Sequence, residues 1–336
     1  MSISAFRSAL FLFFSIHSFL LLCNGNLVEN FYSKSCPQLE KVVRNITWNR
    51  VASNASHAAM LLRTQFNDCF VKGCDASILL DVALTTARSG IEKYDWNNDR
   101  LQDVYDVYDE IKKEVEKQCP NTVSCADIVA LVARDSVSYQ FGKSLWEVQT
   151  GRRDGKESSY YDSVTNLPQV HFSIKRLERR FADKGLSIRD LVVLSGAHTI
   201  GSTSCSNLKG RLQGKKKITN LNATYASELK GKCAPMNRYH WKTVFLDPVS
   251  SFRFDNNYYK LLKRNMGLFQ TDAALLQDER TAAIVDDLAV DNKRFLEEFG
   301  KSMVKLGGVG VLMGEDGEIR KTCRIVNQRN KNTEGS

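Results

Sequence analysis

The chain is 336 residues long, 43% hydrophobic and 25% charged, with a formal net charge of +9. Such a length buries one or two ordinary cores, and the positive balance favours anionic surfaces, acidic cell-wall polysaccharide among them. Nucleic acid is not an expected partner: Lys215-Lys216-Lys217 is the one tight basic run, and such a run reads as a solvated loop.

At the N-terminus, Arg7 precedes an apolar run from Ala9 to Cys23, and Asn24-Gly25 follow. Charged, apolar, then small is the order of a secretory signal peptide, so residues 1–25 are set apart from a folded domain over 26–336. The run is short for a membrane span and no later stretch reaches about 18 apolar residues, so no membrane anchor is expected. With Cys23 in the signal, eight cysteines remain: Cys36, Cys69, Cys74, Cys119, Cys125, Cys205, Cys233 and Cys323. An even count behind a secretory signal predicts four disulfides without fixing which cysteine pairs with which. No CxxC pair occurs to suggest a metal site instead. Three Asn-x-Ser/Thr acceptors, Asn45, Asn54 and Asn222, fit an extracellular route.

Helical periodicity dominates the rest of the chain. It predicts helices over Gln38 to Val51, His57 to Cys69 with Ser56 as N-cap, Leu101 to Cys119, and Ser124 to Val137. Ser187, with Asp190 three residues on, opens another before Leu191-Val192-Val193-Leu194. Arg280 to Leu288 and Asn292 to Leu306 follow, the last ended by Gly307-Gly308. Strand patterns reduce to two short ribbons, Trp146 to Gln149 and Gly310 to Met313. There is no internal repeat and no low-complexity linker. The expected fold is mainly helical.

Chemistry concentrates in two stretches. In LRTQFNDCFVKGCDASILLD (Leu62 to Asp81), Arg63 and Asn67 are four apart and share a helix face. A solvated polar pair has the same spacing. The loop beyond them carries Asp68, Gly73, Asp75 and Ser77 beside Cys69 and Cys74. Hard cations such as calcium take about six to eight oxygens, and this loop offers carboxylates, a hydroxyl and a relaxed backbone. An ordinary acidic turn reads alike, and EF-hand spacing is absent. In DLVVLSGAHTIGSTSC (Asp190 to Cys205), His198 follows an apolar helical run among Ser195, Gly196, Ala197 and Gly201. Small neighbours let a flat ligand approach the backbone, and a neutral imidazole suits haem iron. A satisfied core histidine is the plainer alternative.

Six segments together carry a family resemblance: FYSKSCP (Phe31 to Pro37), Leu62 to Asp81, SCADIVALVARDSV (Ser124 to Val137), GRRD (Gly151 to Asp154), LSGAHTIG (Leu194 to Gly201) and FDNNYY (Phe254 to Tyr259). In order and content they resemble the plant secretory (class III) haem peroxidases, from about Asn26 to Cys323. The resemblance implies a two-domain helical fold with haem between a distal and a proximal half. It implies the disulfides Cys36–Cys119, Cys69–Cys74, Cys125–Cys323 and Cys205–Cys233. The implied cofactors are haem b, with its iron, and two calcium ions. His198 matches the proximal iron ligand and Asp272 the carboxylate that accepts its other ring N–H. Asp68, Val71, Gly73, Asp75 and Ser77 match a distal calcium site, Val71 and Gly73 through their carbonyls. Thr199, Asp247, Ser250, Arg253 and Asp255 match a proximal one, Arg253 through its carbonyl and Ser250 in place of the usual threonine. Pro168 matches a residue at the haem edge where small phenolic donors approach. The implied protein is a secreted monomer of the cell wall or apoplast that consumes hydrogen peroxide.

Two departures stand against that pattern. The family carries a histidine at the position of Asn67; it moves a proton from one peroxide oxygen to the other while Arg63 stabilises charge. An amide has no basic nitrogen, so a factor of about 10²–10⁴ in peroxide activation is at stake. His57 is no substitute, lying ten residues back on the same helix, about 15 Å away. The second departure is Leu84 to Tyr105, where Glu92-Lys93 resembles the family but Asp103-Val104-Tyr105 replaces Arg-Gly-Phe. There Asn97 or Asn98 matches the asparagine that holds the distal histidine. Three readings remain open: a slowed peroxidase, a haem- and calcium-binding pseudo-peroxidase of the wall, and a disulfide-rich scaffold without haem.

Overall fold

The computed structural model describes residues 27–81, 90–213, 221–235 and 242–327; the expected signal peptide and Lys215-Lys216-Lys217 lie outside them. The described residues are mainly helical, with thirteen α-helices. They are α1 (Leu39–Ser53), α2 (His57–Val71), α3 (Tyr105–Gln118), α4 (Cys125–Ser138), α5 (Tyr160–Asn166), α6 (Ile174–Ala182) and α7 (Ile188–Ser195). After these come α8 (Lys209–Gln213), α9 (Ala223–Lys232), α10 (Asn257–Lys263), α11 (Gln270–Ala274), α12 (Glu279–Val290) and α13 (Asn292–Gly307). Among the described residues, no helix is long and apolar enough to cross a membrane.

Two apolar cores share α2 and α4 as a common wall. Successive residues of a helix point about 100° apart, so neighbours can serve different cores. Leu61 joins Val43, Val104, Ile111 and Ile128 on one side, while Leu62 joins Phe70, Leu177, Phe181 and Phe299 on the other. Likewise α4 sends Val129 and Leu131 one way and Ala133 and Val137 the other. A helix between two cores is buried all round, and every residue of α4 is buried. Its polar residues are therefore paired: Asp127 accepts from Tyr32 Oη at 2.8 Å and Arg152 Nη1 at 2.7 Å, and Arg134 donates to Asp135 at 2.9 Å and Glu40 at 3.0 Å.

The four disulfides are Cys36–Cys119, Cys69–Cys74, Cys125–Cys323 and Cys205–Cys233, the pairing that the resemblance implied. Cys125–Cys323 closes 198 residues and ties the end of the described chain to the buried α4.

Several local expectations need correction. Ser56 adopts a helical conformation with no side-chain cap bond; its N–H donates instead to Asn54 Oδ1 at 3.0 Å. The helix expected from Leu101 begins as a 3-10 turn, Leu101–Val104, and becomes α-helical only at Tyr105. Of the expected ribbon at Trp146 to Gln149, only Gln149 enters a strand: β1 (Val28–Glu29) pairs antiparallel with β2 (Gln149–Thr150). Gly310 to Met313 forms no strand, and Leu312 makes a single bridge to Arg153. A second ribbon, β3 (Ser202–Ser204) with β4 (Thr243–Phe245), gives too short an alternation to be read from sequence.

The cap of α7 holds as expected, and it steadies the helix that leads into His198. Asp190 accepts from Ser187 N at 3.0 Å and Ser187 Oγ at 2.6 Å, closing a capping box. It also accepts from Ser302 Oγ at 2.8 Å and Lys305 Nζ at 3.0 Å, which ties α7 to α13. Burial pulls the Asp190 carboxyl upward, but Ser187, Lys305 and Ser302 outweigh it and hold the group below its usual range. A depressed native pKa contributes stability above the unfolded value, about 3.9, that is lost as pH falls through the native one. Asp190→Asn should therefore lower stability at neutral pH and flatten its loss below about pH 4. Urea midpoints measured against pH test this; parallel acid limbs for both proteins would contradict it.

Candidate active site

A cavity of about 300 Å³ opens between α2 and the segment after α7, within the size range of small-molecule and cofactor sites. Leu62, Phe66, Phe181, Leu194 and Phe269 are among its apolar walls. Arg63, Asn67, Pro168 and His198 all line it, so four of the expected site residues meet in one space.

His198 sits in a 3-10 turn, Gly196–Thr199, that continues directly from α7. Its Nδ1 lies 2.8 Å from Asp272 Oδ1 across 74 positions of sequence. Asp272 also accepts from Tyr258 Oη at 3.0 Å and Phe269 N at 2.8 Å. Burial raises the Asp272 carboxyl, yet His198, Phe269 and Tyr258 outweigh that and hold it below its ordinary value. The group is thus an ionised acceptor. Nδ1 therefore carries the proton and Nε2 a free lone pair. About a third of the His198 side chain is exposed, in a turn that lines the cavity, so it is not a satisfied core residue. Phe269 and Tyr258 pack edge-on against the ring at 5.2 and 5.8 Å.

The glycines beside His198 divide in role. Gly196 does not line the cavity: a Cβ there would lie 2.4 Å from Tyr259 Oη and 2.6 Å from Phe295, so its smallness serves packing. Gly201 does line the cavity, and its φ of +92° favours glycine.

On the opposite wall, α2 presents Arg63 and Asn67. Burial lowers the Arg63 pKa, offset in part by nearby Tyr105, Asp99 and Asp95. Asn67 Nδ2 donates to Asn98 Oδ1 at 2.7 Å and to the Asn97 carbonyl at 3.2 Å. Asn98 Nδ2 is itself committed to the Glu92 carbonyl at 2.7 Å. Both partners of Asn67 are therefore oxygens, which fixes its amide with nitrogen toward the loop and oxygen as the remaining group. Of the two asparagines considered from sequence, Asn98 meets Asn67 through its side chain and Asn97 through its backbone.

The first expected calcium group is only partly free to act. Asp68 is buried and accepts from Ala76 N at 2.9 Å, while Asp75 accepts from Ser77 N at 2.9 Å. The Val71 carbonyl accepts from Lys184 Nζ at 3.1 Å and that of Gly73 from Asp75 N at 2.8 Å. Ser77 Oγ is buried beside the carboxyls of Asp75 and Glu92, and Glu92 is a group that sequence reasoning left out of the site. Burial pushes the carboxyls of Asp68, Asp75 and Glu92 up, and mutual repulsion adds to it for Asp68 and Glu92. Buried carboxylates with a hydroxyl among them suit a cation.

The second group is gathered more closely. Thr199 Oγ1 donates to Asp255 Oδ1 at 3.2 Å, and Ser250 Oγ reaches Asp247 Oδ2 at 2.9 Å and Asp255 Oδ1 at 3.3 Å. Arg253 N donates to the Ser250 carbonyl at 2.8 Å, while its side chain is exposed. Among the described residues no set of three or more His, Cys, Asp or Glu forms a metal cage, so hydroxyls and carbonyls would have to complete either site.

The described residues thus form a helical, disulfide-tied protein in which a carboxylate-backed imidazole and a guanidinium line one largely apolar cavity. Comparison with known proteins gives the family. The peroxidase family model matches residues 43–291. Peroxidase 46 of Arabidopsis thaliana is 45% identical over 316 residues, covering 92% of this chain and 94% of that protein. Peroxidase 24 of the same plant is 43% identical over 311 residues (90% and 88%), and Peroxidase 56 is 41% identical over 332 (97% and 98%). The chain belongs to the plant class III peroxidase family, a family of haem enzymes.

Tyr258→Phe should remove one of three donors to Asp272 and cost about 1.5–3 kcal/mol, as bonds to charged groups do. Thermal unfolding of the two proteins checks this. Equal stability would mean the Tyr258 hydroxyl is not bound there.

Proposed function

We propose that this chain is a secreted haem peroxidase that uses hydrogen peroxide to oxidise small phenolic donors by one electron, with slowed peroxide activation. The His198–Asp272 pair is the observation that carries the haem reading: the carboxylate fixes the tautomer and leaves Nε2 available to iron, as outer partners of metal-bound imidazoles do. Haem, when bound, supplies the electron-transfer chemistry. The cavity's apolar walls and exposed imidazole fit such a group. Asp68, Val71, Gly73, Asp75 and Ser77 would hold one calcium ion, with Glu92 nearby, and Thr199, Asp247, Ser250, Arg253 and Asp255 a second. Pro168 lines the same cavity, where a donor would enter. Asn45, Asn54 and Asn222 are all exposed, which supports their use as glycan acceptors on a secreted chain.

Arg63 would stabilise the charge that builds on peroxide as its O–O bond breaks. The missing part is a base. Asn67 Oδ1 accepts a hydrogen bond but takes no proton at neutral pH, so a water must carry the proton between the two oxygens. That same amide favours a second reading, a haem- and calcium-binding protein of the cell wall without useful turnover.

Purified protein should show a Soret band, and rapid mixing with H₂O₂ should shift it within seconds. No shift would favour the second reading. Asn67→His should accelerate the change by about 10²-fold or more. An unchanged rate would move the defect to the loop after Glu92.

Calcium should stabilise the chain by mass action, by about 2.7 kcal/mol at a hundredfold excess over Kd. Chelator-treated protein should melt lower and recover with calcium but not with sodium at equal ionic strength. Identical melting curves in chelator and calcium would remove the calcium sites from the proposal.

A further inference from the structure

We propose that Asp95 is a positioning residue for the Arg63–Asn67 pair, acting through the backbone carbonyl of Asn97. Asp95 is 1% exposed and lies in the loop that faces α2. Its carboxylate accepts from Asn97 N at 3.0 Å and from Asn97 Nδ2 at 3.1 Å on both oxygens. Ser163 Oγ of α5 donates to Asp95 Oδ2 at 2.5 Å, and the same hydroxyl lies 3.4 Å from Asn98 Nδ2. Backbone and side chain of Asn97 are thus held by one carboxylate, itself moored to a helix.

The backbone carbonyl of the clamped residue takes a bond from both α2 side chains: Arg63 through Nη2 and Asn67 through Nδ2 at 3.2 Å. A shared acceptor fixes the guanidinium and the amide relative to each other. Arg63 has a long side chain that gives up considerable rotamer freedom when held in one place. An acceptor that is already rigid lowers that cost at the moment of binding. In a pocket where position 67 offers no base, the placement of Arg63 bears more of the activation step. Asp95 therefore acts on the reaction without touching the reacting atoms. This consequence rests on the haem peroxidase reading; the clamp itself does not.

Amide hydrogen exchange on the full chain reads the clamp with or without haem. In Asp95→Ala, the Asn97 amide should exchange about 10-fold faster or more, while α2 and α4 keep their protection. Fluoride titration of the haem-loaded protein reads the consequence, since an anion in the cavity takes a hydrogen bond from Arg63. Its affinity should fall by about 10-fold with the Soret intensity retained. Asp95→Asn keeps one acceptor oxygen and should restore most of both. Asn97→Gly keeps the carbonyl but loses the anchor, so it should weaken fluoride binding alike and add little on top of Asp95→Ala. If Asp95→Ala does not fold, Ser163→Ala removes only the mooring and should shift exchange and fluoride affinity the same way by less. Unchanged exchange at Asn97 overturns the clamp. Faster exchange with unchanged fluoride affinity overturns the positioning role. Absence of a Soret band in the unaltered protein overturns the haem reading instead and leaves the clamp to be decided by exchange.

Discussion

Asp272 is buried, ionised and shared by three donors, the His198 ring, the Tyr258 hydroxyl and the Phe269 backbone. A buried carboxylate depends on such donors, because a buried charge left wholly unpaired costs several kcal/mol. The requirement reaches far along the chain. It fixes α10, which carries Tyr258, against α11, which carries Asp272, and both against the turn after α7. The turn in turn depends on Asp190 and its ties to α13. The tautomer of one imidazole is thus set by four segments that no local sequence pattern connects.

The opposite wall solves a different problem with the same kind of bookkeeping. Each amide in the sequence Asn67, Asn98 and then the Glu92 carbonyl has its orientation forced by the next, ending on a group that can only accept. A histidine at position 67 could donate to Asn98 in the same way and still offer a basic nitrogen to the cavity. Asparagine reproduces the donated bond and loses the base. Asn67 therefore leaves the hydrogen-bonding of the wall satisfied.

The sequence was legible where a physical signal is local. Helical periodicity announced α1, α2, α4, α12 and α13 within a few residues, and the i, i+4 spacing put Arg63 and Asn67 on one face. The capping box at Ser187 could be read directly because its partner is three residues away. Pairing of the cysteines needed the family resemblance, since closure of 83 or 198 residues leaves no trace in spacing. The loop of 3-10 turns from Glu92 to Val104 has no period to read. There the functional groups are a backbone carbonyl and an Asp–Asn pair two residues apart, which look like any polar turn until their partners on α2 and α5 are known.

That loop also joins two sites that sequence reasoning treated separately. The carboxyl of Glu92 is buried against Asp68 and Asp75, where its charge is unfavourable without a cation. Its carbonyl, on the same residue, receives Asn98 and so ends the chain of amides from Asn67. The two ends of Glu92 cannot move independently. Whatever holds the Glu92 carboxyl beside Asp68 and Asp75 therefore also holds Asn98, Asn67 and the shared carbonyl on which Arg63 rests. Glu92 thus ties the buried carboxyls to the wall of the cavity through its own backbone, while neither Asp68, Asp75 nor Glu92 lines the cavity itself.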